Sequence, residues 1–181
     1  MDFGLTETQE LIKASAKEFL EEKSDPAIVR AVADGDSEAI ASLWKDIVEL
    51  GWPSLTISEE HGGAGLTFSD LAVLLEELGA SLAPTPIVES SISSWTIERF
   101  APDALKADLL PKVAEGDILI TPAIVERDAS WNPEDSKLAA TKSGSSLVIT
   151  GEKRFVAFAE QATHALTLVR TDYDEPALIV V

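Results

Sequence analysis

Apolar residues recur every three or four positions through residues 1–116. This spacing places them on one face of an α-helix, so the pattern predicts a series of amphipathic helices with buried apolar faces. A capping box at Thr6 and Gln9 opens the first helix, and Gly51 and Gly116 stop two later ones. The predicted apolar faces comprise Leu11, Ile12, Ala16, Phe19 and Leu20; Ile40, Leu43, Trp44, Ile47 and Leu50; Leu71, Leu74, Leu75, Leu78 and Leu82; Val88, Ile92, Trp95 and Ile97; and Leu105, Leu109, Leu110 and Val113.

The period of the pattern changes near Asp117, after which short apolar and β-branched runs predict strands. The predicted strands cover residues 118–125, 138–141, 147–150, 164–171 and 177–181, with a hairpin turn at 142–145. The chain is therefore predicted to be an α+β protein. An amino-terminal all-α helical bundle (residues 1–116) precedes part of an antiparallel β domain (residues 117–181).

The chain carries 14 Lys and Arg against 32 Asp and Glu, a net charge of −18. Such a field repels phosphate backbones and anionic lipid, so neither nucleic acid nor a membrane is an expected partner. The absence of cysteine excludes disulfides and thiolate chemistry, and two histidines, His61 and His164, are too few for a His-based metal site. No long apolar run predicts a membrane span, and the expected compartment is the cytoplasm.

A glycine cluster stands between two predicted helices, with Gly62, Gly63 and Gly65 within four positions. Backbone at these positions can adopt positive φ or pass very close to another group. Thr67 and Asp70 then form a second capping box that opens a leucine-rich helix. Two interpretations follow: a turn that leads into a core helix, or a loop that approaches a ligand.

Three motifs in this region resemble the amino-terminal helical domain of acyl-CoA dehydrogenases. They are Trp52-Pro53, the Glu60-His61-Gly62-Gly63-Ala64-Gly65 loop, and Glu76-Glu77-Leu78-Gly79. Further on, Gly151-Glu152-Lys153-Arg154-Phe155-Val156 resembles the Gly-x-Lys-x-Trp/Phe-Ile/Val segment of that family's middle β domain. The resemblance covers nearly the whole chain. Family members also carry a carboxy-terminal helical bundle, so the chain is expected to be a fragment or a shortened subunit.

The resemblance implies FAD as the cofactor, held against the β domain by two segments. One is Thr-Glu-Pro-x-Ala-Gly-Ser-Asp in the family and falls on residues 125–132 here, where Val125 replaces the Thr and Trp131 the small Ser. In the second segment Phe155 stands at the ring-stacking position, and Ala157 replaces a Thr or Ser. The cofactor-binding residues implied in this way are Ile124, Val125, Ser130, Trp131, Phe155, Val156 and Ala157.

The reaction implied is α,β-dehydrogenation of an acyl-CoA thioester, in which a carboxylate removes the α proton and flavin N5 accepts the β hydride. The family's base belongs to its carboxy-terminal half, so no catalytic residue is assigned here. Lys153 and Arg154 are the one adjacent basic pair considered for a phosphate contact, with solvent exposure as the alternative. Glu59, Glu60, Glu76 and Glu77 are expected to be solvated.

Two other functions remain open at this stage. The missing hydroxyls at Val125, Trp131 and Ala157 favour a non-catalytic structural subunit that pairs with an active homologue. A helical interaction module is the third possibility. Both an acyl-CoA dehydrogenase and a structural subunit are expected to form a homo- or hetero-oligomer with family members.

The apolar run 177–181 is expected to form a strand at the edge of a sheet.

Overall fold

The computed structural model describes residues 4–128, 131–144 and 146–181, which form two compact units divided between Asp117 and Ile118. The described part of the first unit is helical. Two short 3-10 turns, Trp52–Ser54 and Glu59–His61, connect the third helix to the fourth. The helices are α1 (Glu7–Lys23), α2 (Pro26–Ala33), α3 (Ser37–Glu49), α4 (Phe68–Ala80), α5 (Ile87–Phe100) and α6 (Asp103–Ala114).

The helices α1 and α4 begin at the two capping boxes that the sequence predicts. The Thr6 hydroxyl accepts the Gln9 N–H at 3.2 Å, and Gln9 Oε1 accepts the Thr6 N–H at 3.0 Å. The Asp70 carboxylate accepts the Thr67 N–H at 2.8 Å and the Gln9 side-chain N–H at 2.9 Å. Asp70 thus joins the start of α4 to the start of α1. The Thr67 hydroxyl also donates to the Asp70 carboxylate at 2.7 Å, and this hydrogen bond, followed by those from the Thr67 N–H and the Gln9 side chain, lowers the pKa of Asp70.

The main core of the helical unit lies where α1, α3 and α4 meet the Trp52 turn. Phe19 packs edge-on against Trp52, with ring centroids 5.2 Å apart. The predicted apolar faces of α1, α3 and α4 supply most of this core. Its buried members are Ala16, Leu20, Leu43, Ile47, Trp52, Leu71, Leu74, Leu78 and Ile87.

The predicted faces are wrong at three leucines, Leu11, Leu50 and Leu82. Leu50 is exposed because α3 ends at Glu49, one residue before it. Leu11 lies on α1 but is exposed, because its neighbour Ile12 takes the position that packs against the core. Leu82 is exposed because α4 ends at Ala80, and Leu82 adopts a left-handed φ of +54° beyond the helix.

The predicted face of α5 is wrong as well. Of its four predicted members only Ile97 is buried, whereas Val88, Ile92 and Trp95 are exposed. Small side chains occupy the buried face instead, namely Ser90, Ser91, Ser93 and Ser94. The Ser94 hydroxyl donates to the Ser90 carbonyl at 2.9 Å, which satisfies one of these polar groups inside the helix. The helix begins at Ile87, and the Ile87 N–H donates to the Thr85 hydroxyl at 3.2 Å.

The second unit contains β1 (Ile120–Ala123), β2 (Ala140–Ser143), β3 (Ser146–Ile149), β4 (His164–Arg170) and β5 (Pro176–Val180). β4 is the central strand of a three-stranded sheet of order β1-β4-β5, parallel to β1 and antiparallel to β5. β2 and β3 form the predicted hairpin, with Ser143 opposite Ser146. The α+β fold class is confirmed, and β5 lies at an edge of the described sheet. Its residues align Thr167 with Ile179 and Leu168 with Leu178.

Candidate functional site

Two connecting segments of the second unit lie side by side. One follows β1 (residues 124–126), and the other precedes β4 (residues 153–157). The Arg154 N–H donates to the Val125 carbonyl at 2.7 Å, and the Thr121 hydroxyl of β1 donates to the Ala157 carbonyl at 2.7 Å. Residues that are distant in the sequence, with 36 positions between Thr121 and Ala157, are thereby placed on one surface.

A buried ion pair links the same two segments. Lys153 Nζ lies 2.7 Å from Glu126 Oε1, with only 6% of the Lys153 side chain and 12% of the Glu126 side chain exposed. Lys153 also donates to the Ile124 carbonyl at 3.1 Å. Neither sequence interpretation of Lys153, a phosphate contact or solvent exposure, is correct. The reason is that its acidic partner is 27 residues away, where no local pattern shows it.

Glu126 also binds a third segment, residues 136–138. Its carboxylate accepts the Ser136 hydroxyl at 2.9 Å, the Leu138 N–H at 3.1 Å and the Lys137 N–H at 3.1 Å. Burial by itself would raise the pKa of Glu126, but these donors and Lys153 outweigh it and lower the pKa to about 2. Glu126 is therefore a permanently charged structural anchor at neutral pH.

Arg154, the other member of the basic pair, has a different environment. Its Nε lies 2.8 Å from Glu152 Oε1, and the Glu152 side chain is mostly exposed. Such a surface pair contributes little to stability. Glu76 lies 4.0 Å from Lys13 and is solvated as expected, with 70% of its side chain exposed. The expectation is wrong for Glu77, which lies 3.7 Å from Lys13 with only 14% of its side chain exposed.

Phe155 projects from this surface. Its ring is 90% exposed, and its backbone adopts a left-handed φ of +54°, which is uncommon for a bulky residue. Ile124, Val125 and Val156 are half-buried beside it, and Ala157 is exposed. Within the described residues, the N–H groups of Val125, Val156 and Ala157 donate no hydrogen bond. The structure therefore brings five of the seven predicted residues together.

The other two predicted residues are Ser130 and Trp131. Ser130 lies outside the described residues. Trp131 is 79% exposed in the connection before the 3-10 turn Pro133–Asp135. Across the described ranges, no ring contact or hydrogen bond joins Trp131 to Phe155.

The glycine loop of the first unit is held by its own backbone. Gly62 and Gly65 have φ of +83° and +63°, and a Cβ on Gly63 would lie 2.0 Å from the Ile57 carbonyl oxygen. The Gly63 N–H donates to Ser58 at 2.9 Å, and the Gly65 N–H donates to Ile57 at 2.8 Å. The expected positive φ is confirmed at Gly62 and Gly65, and the expected close approach of the backbone is confirmed at Gly63. Since the loop uses these donors internally, the structure supports the turn rather than the ligand loop.

Residues 4–128, 131–144 and 146–181 contain no group of three His, Asp or Glu side chains placed to hold a metal ion. No helix described there has the length and apolar character that a membrane span requires. The cytoplasmic compartment stays a prediction.

The sequence of the helical unit identifies the family of proteins to which the chain belongs. A family model described as the acyl-CoA dehydrogenase amino-terminal domain matches residues 6–117. The chain belongs to the acyl-CoA dehydrogenase family, as its motifs predict. Acyl-CoA dehydrogenase FadE12 of Mycobacterium tuberculosis is 31% identical over 151 residues, which cover 80% of this chain and 39% of the relative. The chain thus spans well under half the length of that relative.

Solved structures share the fold. The ChsE4-ChsE5 complex from Mycobacterium tuberculosis matches with a TM-score of 0.86 at 21% identity, over 100% of this chain and 48% of that one. A glutaryl-CoA dehydrogenase from Mycobacterium smegmatis in complex with FADH2 matches with a TM-score of 0.79 at 22% identity, over 98% and 46%. Identities this low establish the architecture and nothing about ligands.

Proposed function

We propose that this chain supplies the amino-terminal helical domain and the first flavin-contacting segments of an FAD-dependent acyl-CoA dehydrogenase, acting on a fatty or steroid-like acyl-CoA. The observation that carries the proposal is the surface formed by residues 124–126 and 153–157, with Phe155 exposed at its centre. Membership of the acyl-CoA dehydrogenase family supports FAD as the ligand.

The residues on this surface fit a planar heteroaromatic ring. The exposed Phe155 ring offers a flat apolar face, and aromatic rings gain from offset or edge contact with one another. The unused N–H groups of Val125, Val156 and Ala157 are donors for ring carbonyls or nitrogens, and they do not depend on side-chain identity. In this proposal, Ile124, Ser130 and Trp131 complete the cofactor contacts. A bound flavin supplies the hydride acceptor for dehydrogenation.

Glu126 is unsuited to be the base of the reaction. A base that removes a proton α to a thioester needs a pKa close to the working pH. The pKa of Glu126 is about 2, because Lys153 and three other donors hold its carboxylate in the charged form. We therefore expect the chain by itself not to reduce an electron-acceptor dye with an acyl-CoA.

Titration with FAD, followed by flavin fluorescence, tests the cofactor surface. We expect weak, saturable binding to the chain, and Phe155→Ala should weaken it about fivefold if ring stacking contributes about 1 kcal/mol. Tyr173→Ala is the matched control, because Tyr173 is 87% exposed in the turn between β4 and β5. Equal effects of the two substitutions, or no saturable binding, would contradict the proposal.

A non-catalytic subunit that pairs with an active family member is the second candidate. Val125 and Ala157 provide no side-chain hydroxyl at the surface, and the fold also occurs in the ChsE4-ChsE5 complex. If the protein is a subunit that has lost side-chain contacts to flavin, Val125→Thr with Ala157→Thr should raise FAD affinity. If backbone donors already hold the ring, the same change should have little effect.

A further inference from the structure

The contacts between the two flavin-facing segments fall on consecutive residues. Lys153 Nζ reaches the Ile124 carbonyl at 3.1 Å and Glu126 at 2.7 Å, while the Arg154 N–H reaches the Val125 carbonyl at 2.7 Å. Three successive residues of one segment are therefore bound by two successive residues of the other. A slip of one residue would break all three contacts, so together they determine the register of the segments.

Glu126 connects this pair of segments to the residues before β2. Its carboxylate accepts donors from Ser136, Lys137 and Leu138 as well as from Lys153. Lys153 in turn lies 3.4 Å from the Ser136 hydroxyl. A charged group with this many donors in a shielded position is held in one place, since each alternative position leaves buried polar groups without partners.

Phe155 needs such support from its neighbours. Its left-handed backbone is strained for a bulky side chain, and a strained conformation persists only where surrounding structure determines it. The Phe155 ring is exposed and therefore contributes little packing of its own. The backbone is therefore held by residues on both sides of Phe155: Lys153 and Arg154 before it, and Ala157 after it, whose carbonyl accepts the Thr121 hydroxyl.

A buried ion pair is also a poor device for stability alone. Apolar residues of similar volume are often equally stabilising, because both charges must be removed from water. A conformational role accounts for this pair better than a purely stabilising one, because its contacts determine register and bring together three separate segments.

We propose that Glu126 and Lys153 are positioning residues for the cofactor surface: their ion pair sets the register of residues 124–126 against 153–155 and thereby presents Phe155 to the flavin ring. This inference rests on the proposed function for the identity of the ligand. Neither side chain touches the ring in this role, and both act through the backbone on which Phe155 and Val125 stand.

The test compares Lys153→Met with Arg154→Met in the full chain. Each variant removes one cation, but Lys153 belongs to the buried pair and Arg154 to the exposed pair with Glu152. FAD affinity is measured by flavin fluorescence at a temperature where circular dichroism shows every variant to be folded. We expect Lys153→Met to weaken FAD binding about tenfold, the factor that corresponds to the loss of one charge-assisted hydrogen bond. Arg154→Met should leave the FAD affinity within about twofold of wild type.

Hydrogen exchange gives a second readout that needs no flavin. The Arg154 N–H is bonded to Val125, so exchange of the peptide containing residues 153–156 should accelerate in Lys153→Met and stay near wild type in Arg154→Met. Lys153→Arg keeps the charge and should recover part of the protection. Should Lys153→Met prove unfolded, Lys153→Arg and Glu126→Asp replace it, with smaller changes expected in the same direction.

The outcomes separate this inference from the function on which it rests. If the chain and all variants fail to bind FAD, the proposed function fails, and hydrogen exchange alone decides whether the pair sets the register. If FAD binds and Phe155→Ala weakens it while Lys153→Met changes neither affinity nor exchange, the positioning role is wrong and the cofactor surface stands. Accelerated exchange in Lys153→Met together with unchanged FAD affinity would also overturn the positioning role.

Discussion

Alanine substitutions at the neighbouring Gly62 and Gly63 should lower the free energy of unfolding by different amounts, because each position requires glycine for a different reason. At Gly62 a Cβ would meet nothing within 4 Å, and the obstacle is the backbone φ of +83°. At Gly63 the φ is ordinary, but a Cβ would lie 2.0 Å from the Ile57 carbonyl oxygen and 2.5 Å from its carbon. The first substitution strains one residue, whereas the second must displace a segment of backbone.

The magnitudes follow from these contacts. Gly62→Ala places an L-residue in the left-handed region, which costs about 1–2 kcal/mol. Gly63→Ala must separate the loop from Ile57 and Ser58, which breaks the Gly65–Ile57 and Gly63–Ser58 hydrogen bonds. Each bond contributes about 1 kcal/mol, and displacing the fully buried Ile57 adds more, so a loss of about 3 kcal/mol or more is expected.

Urea denaturation followed by helical circular dichroism measures both values. Gly79→Ala is the control, because Gly79 lies in α4 with no atom near its Cβ position and has no positive φ. This control should stabilise the helix by up to about 1 kcal/mol. A Gly63→Ala variant that is no less stable than Gly62→Ala would show that the Ile57 contact is not a constraint and would refute the reasoning.

Three further predictions concern buried polar groups. Glu126 has a folded pKa of about 2 against an ordinary value of 4.5, so its stabilisation is present above about pH 4.5 and is lost as the pH falls towards 2. This loss is up to about 3 kcal/mol, and Glu126→Gln should flatten that part of the pH dependence of urea denaturation. Lys153→Met leaves the Glu126 charge buried without its partner and should lower the free energy of unfolding by about 3 kcal/mol. The double variant Glu126→Gln/Lys153→Met should recover most of this loss in thermal melts, and a double variant as unstable as the single one would contradict the prediction. Among the described residues the buried Ser93 hydroxyl has no hydrogen-bond partner, whereas the Ser94 hydroxyl donates to the Ser90 carbonyl. Ser93→Ala should therefore be neutral or stabilising and Ser94→Ala should cost about 1 kcal/mol, and the reverse order of unfolding free energies would count against these assignments.

The residues of the proposed flavin surface illustrate what the motif could and could not predict. The motif around residues 151–157 led to Phe155 and Ala157, and in the structure the Arg154 N–H beside Phe155 bonds the Val125 carbonyl while the Ala157 carbonyl bonds the Thr121 hydroxyl. The same motif gave no sign that Lys153 is buried. Its partner Glu126 belongs to a different segment, and only folding brings the two charges within 2.7 Å.

Local chemistry in the sequence determined where elements begin and end. Thr6 with Gln9 and Thr67 with Asp70 act over three residues, so their hydrogen bonds form as soon as the helix does and require no other part of the chain. The change from helical to alternating periodicity near Asp117 likewise follows from side-chain spacing alone. These signals account for the confirmed fold class.

Tertiary structure decided which face of each element is buried and which charges are paired. Val88, Ile92 and Trp95 predict an apolar core face for α5, yet the buried face consists of Ile87, Ile97 and four serines, Ser90, Ser91, Ser93 and Ser94. Glu126 became a structural anchor because three distant segments supply its donors. Such outcomes depend on space and partners that only the folded chain provides, and sequence spacing carries no record of them.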